Sequence, residues 1–156
     1  MDIFPFTKAE WQKVKDTSLA VVNASLANDA ILRASYFEEL LTVLEELRNR
    51  YGEHPILLET EADFEEDSLV QCNKYRSAIQ LAESNSLPTF TIRISLASLL
   101  LQDFNDPVQA ARELELCKLE LPIHADNSEM REWTELMKQC EERIKMGKNS
   151  GIIDKI

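Results

Sequence analysis

Apolar residues return every three or four positions in one stretch after another, and this periodicity constrains the fold more than any motif does. Phe37, Leu40, Leu41, Leu44, Leu47 and Tyr51 form the clearest stripe. Leu69, Cys72, Tyr75, Ile79 and Ala82 form a second, and Ala110, Ala111, Leu114, Cys117 and Leu121 a third. Met130, Trp133, Leu136, Met137, Cys140 and Ile144 form a fourth. Each stripe can bury one face of a helix. Only Gly52, Gly147 and Gly151 supply glycine to 156 residues, whereas β-rich folds and phosphate-cradling loops use many glycines in tight turns. The expected fold class is therefore all-α, and 44% hydrophobic residues are enough for one core.

The punctuation between stripes places the elements. Thr7 and Glu10 have the spacing of a capping box. Behind them Trp11, Val14, Ser18, Val21, Val22 and Leu26 predict a helical face, and Asn28 and Asp29 can cap the next helix. Gly52 follows Tyr51 where a C-terminal cap belongs, and HPILLETEADF from residue 54 predicts a short helix. Residues 89–102 alternate as a strand would and also fit a helix face; a lone strand has no good partner, so helix is expected. Pro107 suits a first helical turn, and Pro122 is expected to end that helix. About seven helices joined by short turns predict an array of antiparallel hairpins. A single domain over residues 1–146 is expected, with residues 147–156 as a frayed tail whose Ile152 and Ile153 are able to dock.

Part of the chain repeats. Ala62-Asp63-Phe64 returns as Gln102-Asp103-Phe104, forty residues later. In the second unit Ala97, Leu100, Ala110, Leu114, Cys117 and Pro122 resemble the small-large-small spacing and closing proline of tetratricopeptide repeats (TPR). The resemblance covers roughly residues 54–122 and implies stacked helical hairpins, here called TPR-like. Arg93 stands where the family's first-helix tryptophan would be, and the usual turn glycine is absent. The resemblance therefore implies architecture and not a set of peptide-groove residues.

Charge is concentrated. The net charge is −11, and residues 53–67 hold seven acids with no Lys or Arg. Direct nucleic-acid binding is disfavoured, because no basic stripe offsets phosphate repulsion. A basic protein partner is favoured. The candidate partner-binding residues are Glu59, Glu61, Asp63, Glu65, Glu66 and Asp67. Arg93, a cation on an apolar stretch, joins them, either paired with the acidic run or pointing into a groove. The alternative is that the run is a solvated turn. No calcium-loop spacing, nucleophile elbow, P-loop or zinc-protease motif occurs. Cys72, Cys117 and Cys140 have no metal-ligand spacing and suit buried, reduced thiols. No cofactor, metal or catalytic centre is expected. Neither a signal peptide nor a membrane span is visible, so a cytoplasmic protein is expected.

In size, acidity and helical style the chain also resembles the small immunity proteins that bacteria encode beside polymorphic toxins. That resemblance implies a non-enzymatic inhibitor that occludes a basic toxin domain. An adaptor or secretion chaperone that binds a peptide segment is the alternative expectation.

Overall fold

The computed structural model describes residues 1–153, with side chains through Lys148. Seven helices of nine residues or more are present: α1 (Lys8–Leu26), α2 (Ala30–Tyr51), α3 (Pro55–Asp63), α4 (Ser68–Ser84), α5 (Phe90–Gln102), α6 (Pro107–Leu116) and α8 (Asn127–Ile153). A 3-10 turn (Lys118–Glu120) and the one-turn α7 (Leu121–His124) join the last two. The described residues contain no strand. Helices α1 with α2, α3 with α4, and α5 with α6 pack as antiparallel hairpins; α5 also packs on α4, and α8 closes the array against α6 and α5. The joint between α2 and α3 is thin by comparison.

Local chemistry sets these boundaries. The Thr7–Glu10 capping box forms in both directions, at 2.9 and 3.1 Å. Asp29 caps α2 through the Leu32 N–H at 3.0 Å. Gly52 closes α2 at φ +83°, a left-handed backbone region that favours glycine. At the start of α3 the cap is His54, whose Nδ1 accepts the Ile56 N–H at 3.2 Å. Its Nε2 is then the ring donor, 2.9 Å from the Asp2 carbonyl oxygen. Residues 90–102 form helix α5, buried on almost every side, so their apolar alternation reflects full burial and not a pleated face.

Three expectations need correction or extension. Helix α1 buries Val14, Thr17, Val21 and Ala24, while Val22 and Leu26 are exposed. Its main neighbour is α2, so one narrow strip suffices, and Thr17 is tolerated there because its hydroxyl donates to the Lys13 carbonyl at 2.7 Å. Pro122 does not end α6, which stops at Leu116. The Leu114 carbonyl accepts the Trp133 indole N–H at 2.8 Å, and Pro122 sits in the first turn of α7, where no N–H is needed. Helix α8 runs through Gly147 as far as Ile153; residues 154–156 and the side chains of Ile152 and Ile153 lie outside the described residues.

The buried side chains form two clusters. The larger joins α4, α5, α6 and α8 with Ala62 of α3, and includes Ala97, Leu100, Ala110, Leu114 and Cys117 of the repeat pattern. The smaller joins Phe6, α1 and α2 with Leu57 of α3. Helix α3 is thus the one element that contributes to both, and it carries the acidic residues of the candidate site.

Candidate functional site

Helix α3 divides its acids by geometry. Residues 59 and 63 are one turn apart and share a face, whereas residue 61 points elsewhere. Glu61 meets Arg48 of α2 at 2.9 Å and Lys74 of α4 at 3.1 Å. Burial alone would raise its carboxyl, but hydrogen bonds from Lys74 and Arg48 outweigh that and hold it below the usual range. Glu65 takes the same Lys74 at 2.7 Å. Glu66 pairs with Arg33 at 2.8 Å, and Arg33 also donates to the Phe64 carbonyl at 2.8 Å. Glu53 pairs with Arg48 at 3.1 Å. These residues form a seam of ion pairs between α2, α3 and α4. Asp67 serves as the N-cap of α4, accepting the Leu69 and Val70 N–H groups at 2.9 and 3.1 Å.

Glu59 and Asp63 are different. Neither has a Lys or Arg ion-pair partner among the described residues. The Thr91 hydroxyl of α5 donates to Glu59 at 3.3 Å. Burial, then the neighbouring Asp63, pushes the Glu59 carboxyl up to about 7, with a smaller push from Glu129 in the first turn of α8 and an opposing pull from Thr91. The buried Tyr75 hydroxyl donates to Asp63. Much of the Asp63 residue is open to water, yet its carboxylate is turned in against Tyr75. Burial raises it to about 6 against the lowering effect of that hydrogen bond, and solvent on the open side moderates the rise. The Tyr75 phenol is itself pushed well above its ordinary value by burial and by Asp63. The result is a face built from α3 and α5 on which two carboxylates lack a cation among the described residues.

Arg93 does not join this run. It is 7% exposed, and its guanidinium is fixed by Glu113, Glu83 and the Thr89 hydroxyl, the last at 2.9 Å. Arg76 shares Glu113 at 3.5 Å. The structure therefore brings Glu59 with Asp63 together, and Glu61 with Glu65 and Glu66 through shared or neighbouring cations, and leaves Arg93 in a separate buried ion cluster. Sequence reasoning missed Glu129, and it missed Arg33, Arg48 and Lys74 as the cations of the seam. Lys74, seven residues past Asp67 on the next helix, was the one local signal; the arginines come from α2, and no spacing announces that α2 lies alongside.

Elsewhere the titratable groups serve packing. Cys72, Cys117 and Cys140 are free and buried, and burial pushes the Cys117 thiol up to about 11, the opposite of what a nucleophile needs. His124 stacks on Phe90. Among the described residues no group of three or more His, Cys, Asp or Glu is arranged to hold a metal ion, and no helix is long and apolar enough to cross a membrane.

Fold and site together define an all-α hairpin array with an acidic face at Glu59 and Asp63 that has no ion-pairing cation among the described residues. Comparison with family models, with curated proteins and with solved structures found no match.

Proposed function

We propose that the chain is a non-catalytic protein-binding module that docks a basic protein through Glu59 and Asp63, with Glu129 beside them. The observation that carries this reading is the division of the acidic run. Four of its carboxylates, those of Glu53, Glu61, Glu65 and Glu66, are matched by Arg33, Arg48 and Lys74, while the two on the α3–α5 face are held without a cation at a cost to the fold. Like charges one turn apart, on the half-buried Glu59 and on an Asp63 carboxylate turned in against Tyr75, are unfavourable in the free protein and become favourable when a partner supplies Lys or Arg. The more specific reading is an immunity-type inhibitor acting in the bacterial cytoplasm, which covers the basic surface of a toxin domain and blocks it by occlusion. Size, acidity and the TPR-like style of the hairpins support it.

The test is capture and identification of a basic protein by the wild type, beside Glu59→Gln with Asp63→Asn, at low and high salt. The identified domain is then expressed alone and with each form of the chain. Growth restored by the wild type and not by the double variant, with salt-sensitive association, supports the reading. Equal binding and equal rescue by both forms overturns it.

A further inference from the structure

The repeated turn leaves one surface unexplained. Phe64 and Phe104 occupy equivalent places forty residues apart. Phe64 packs onto the N-terminal core cluster, whereas Phe104 is 40% exposed. The Ser68 hydroxyl donates to Asp103 at 2.5 Å, which holds the first turn of α4 beside the α5–α6 turn. Two turns further along α4, Arg76 donates to the Gln109 side chain at 3.2 Å, so side chains of α4 and α6 meet and the two helices begin at the same edge. That edge carries Leu69, 62% exposed, Val108, 55% exposed, and Val70. Four exposed apolar side chains, Leu69, Val70, Phe104 and Val108, thus flank the Ser68–Asp103 contact from three segments, and neither core cluster uses them. Apolar residues grouped in this way mark a contact surface more than scattered ones do.

The rim says what kind of partner fits. Asp67, Asp103 and Asp106 border the apolar residues, and each is oriented through one oxygen by a hydrogen bond from the chain itself. The second oxygen of each has no hydrogen-bond partner, and no Lys or Arg pairs with any of the three, among the described residues. An apolar centre with fixed carboxylates around it is complementary to an apolar stripe flanked by cations. We propose that this edge docks an amphipathic helix whose apolar face is bordered by Lys or Arg, a segment of the basic partner inferred above. The partner's charge rests on that reading; the place and the apolar requirement do not.

The test uses a fluorescein-labelled synthetic Leu/Lys amphipathic helix of about fourteen residues and a permuted peptide of the same composition without an apolar face. Anisotropy is read for the full chain, for Leu69→Ser with Phe104→Ser, for Val70→Arg, for Leu119→Ser with Ile123→Ser at a different exposed apolar site, and for Glu59→Gln with Asp63→Asn. The expected result is binding of the amphipathic peptide over the permuted one. It should weaken about tenfold in the Leu69/Phe104 and Val70→Arg variants and stay within about twofold in the Leu119/Ile123 variant. Because Val70 faces solvent, Val70→Arg keeps the test decisive if the serine variant folds poorly. Absence of binding, equal binding of the two peptides, or unchanged affinity in both edge variants overturns the inference. Loss of partner binding in the Glu59/Asp63 variant with these edge effects absent leaves the proposed function standing alone. The reverse pattern separates the edge from it.

Discussion

Glu59 and Asp63 hold protons to higher pH than ordinary carboxylates, because burial opposes both charged forms and the neighbouring Asp63 adds repulsion at Glu59. The folded Glu59 titrates near 7 against an ordinary value of 4.5, so between those two pH values the folded chain binds a proton that the unfolded chain has lost. Its contribution to stability is therefore fully present below about 4.5 and is lost as pH rises through about 7. Urea unfolding is expected to show lower stability at pH 8 than at pH 5.5. Glu59→Gln should flatten that slope and stabilise the protein at pH 8 by about 2 kcal/mol, once its partial exposure is allowed for; an unchanged slope would show that Glu59 is not held in this way. Glu61 works in the opposite sense, since its lowered carboxyl contributes stability that disappears as pH falls. Arg93 gives a second residue-scale prediction. Arg93→Met leaves the buried Glu113 with only the half-exposed Arg76 at 3.5 Å, and should cost about 3 kcal/mol. Arg93→Met with Glu113→Met should recover most of that loss, because two well-packed apolar side chains can replace a buried pair. At this scale the sequence shows which groups are acidic or basic. It does not show which are paired, since Arg93 meets Glu83 and Glu113 from helices whose approach is set only by packing.

The helices themselves were legible because local signals agree. The Thr7–Glu10 box, Asp29, Asp67 and Asp106 all cap the helices they precede, and the stripes of α2, α4, α6 and α8 supply the buried faces. The face of α1 was misread where apolar residues outnumber neighbours: Val22 and Leu26 follow helical spacing yet remain exposed. The end of α6 was missed because no proline or glycine marks it: Cys117 closes the helix, and the Leu114 carbonyl there accepts from Trp133, nineteen residues away. Gly52 and Gly147 give a test of element-scale reasoning with opposite signs. A Cβ added at Gly52 meets nothing within 4 Å, so Gly52→Ala should destabilise through its positive φ alone, by about 1 kcal/mol. A Cβ at Gly147 also meets nothing within 4 Å, but this residue lies inside α8. Gly147→Ala should therefore leave stability unchanged or raise it, by at most about 1 kcal/mol, through helix propensity. Thermal unfolding of both variants checks the pair, and the same sign for both would contradict the argument.

At the scale of the whole molecule, the short turns made stacked hairpins readable, but nothing in the sequence reveals that the stack is jointed. The core is split into two clusters that meet only through α3, and the α2–α3 packing is thin. Arg33 and Arg48 reach across this joint to Phe64, Glu66 and Glu61. The acidic run that drew attention as a binding patch is thus partly the fastening of the N-terminal hairpin. Arrays of this kind are held by neighbour-to-neighbour interfaces, so weakening one interface can free one end without melting the other. Arg48 is the stronger fastening, because its pair with Glu61 is largely shielded from solvent, while Glu66 opposite Arg33 is 74% exposed and open to screening by salt. Arg48→Met should therefore accelerate hydrogen exchange in α1 and α2 by about tenfold or more while α5 and α8 keep their protection. Added salt should have a smaller effect in the same direction. Acceleration spread evenly over all helices would mean that the two clusters unfold as one unit, and that the ion pairs add stability without marking a joint. Acceleration confined to α1 and α2 would place the joint at α3, where the cation-free face and the fastening lie on opposite sides of one short helix. A partner that binds Glu59 and Asp63 would then tighten α3 and, through it, the N-terminal hairpin. The same exchange experiment repeated with bound partner would read this as added protection in α1 and α2, far from the contact itself.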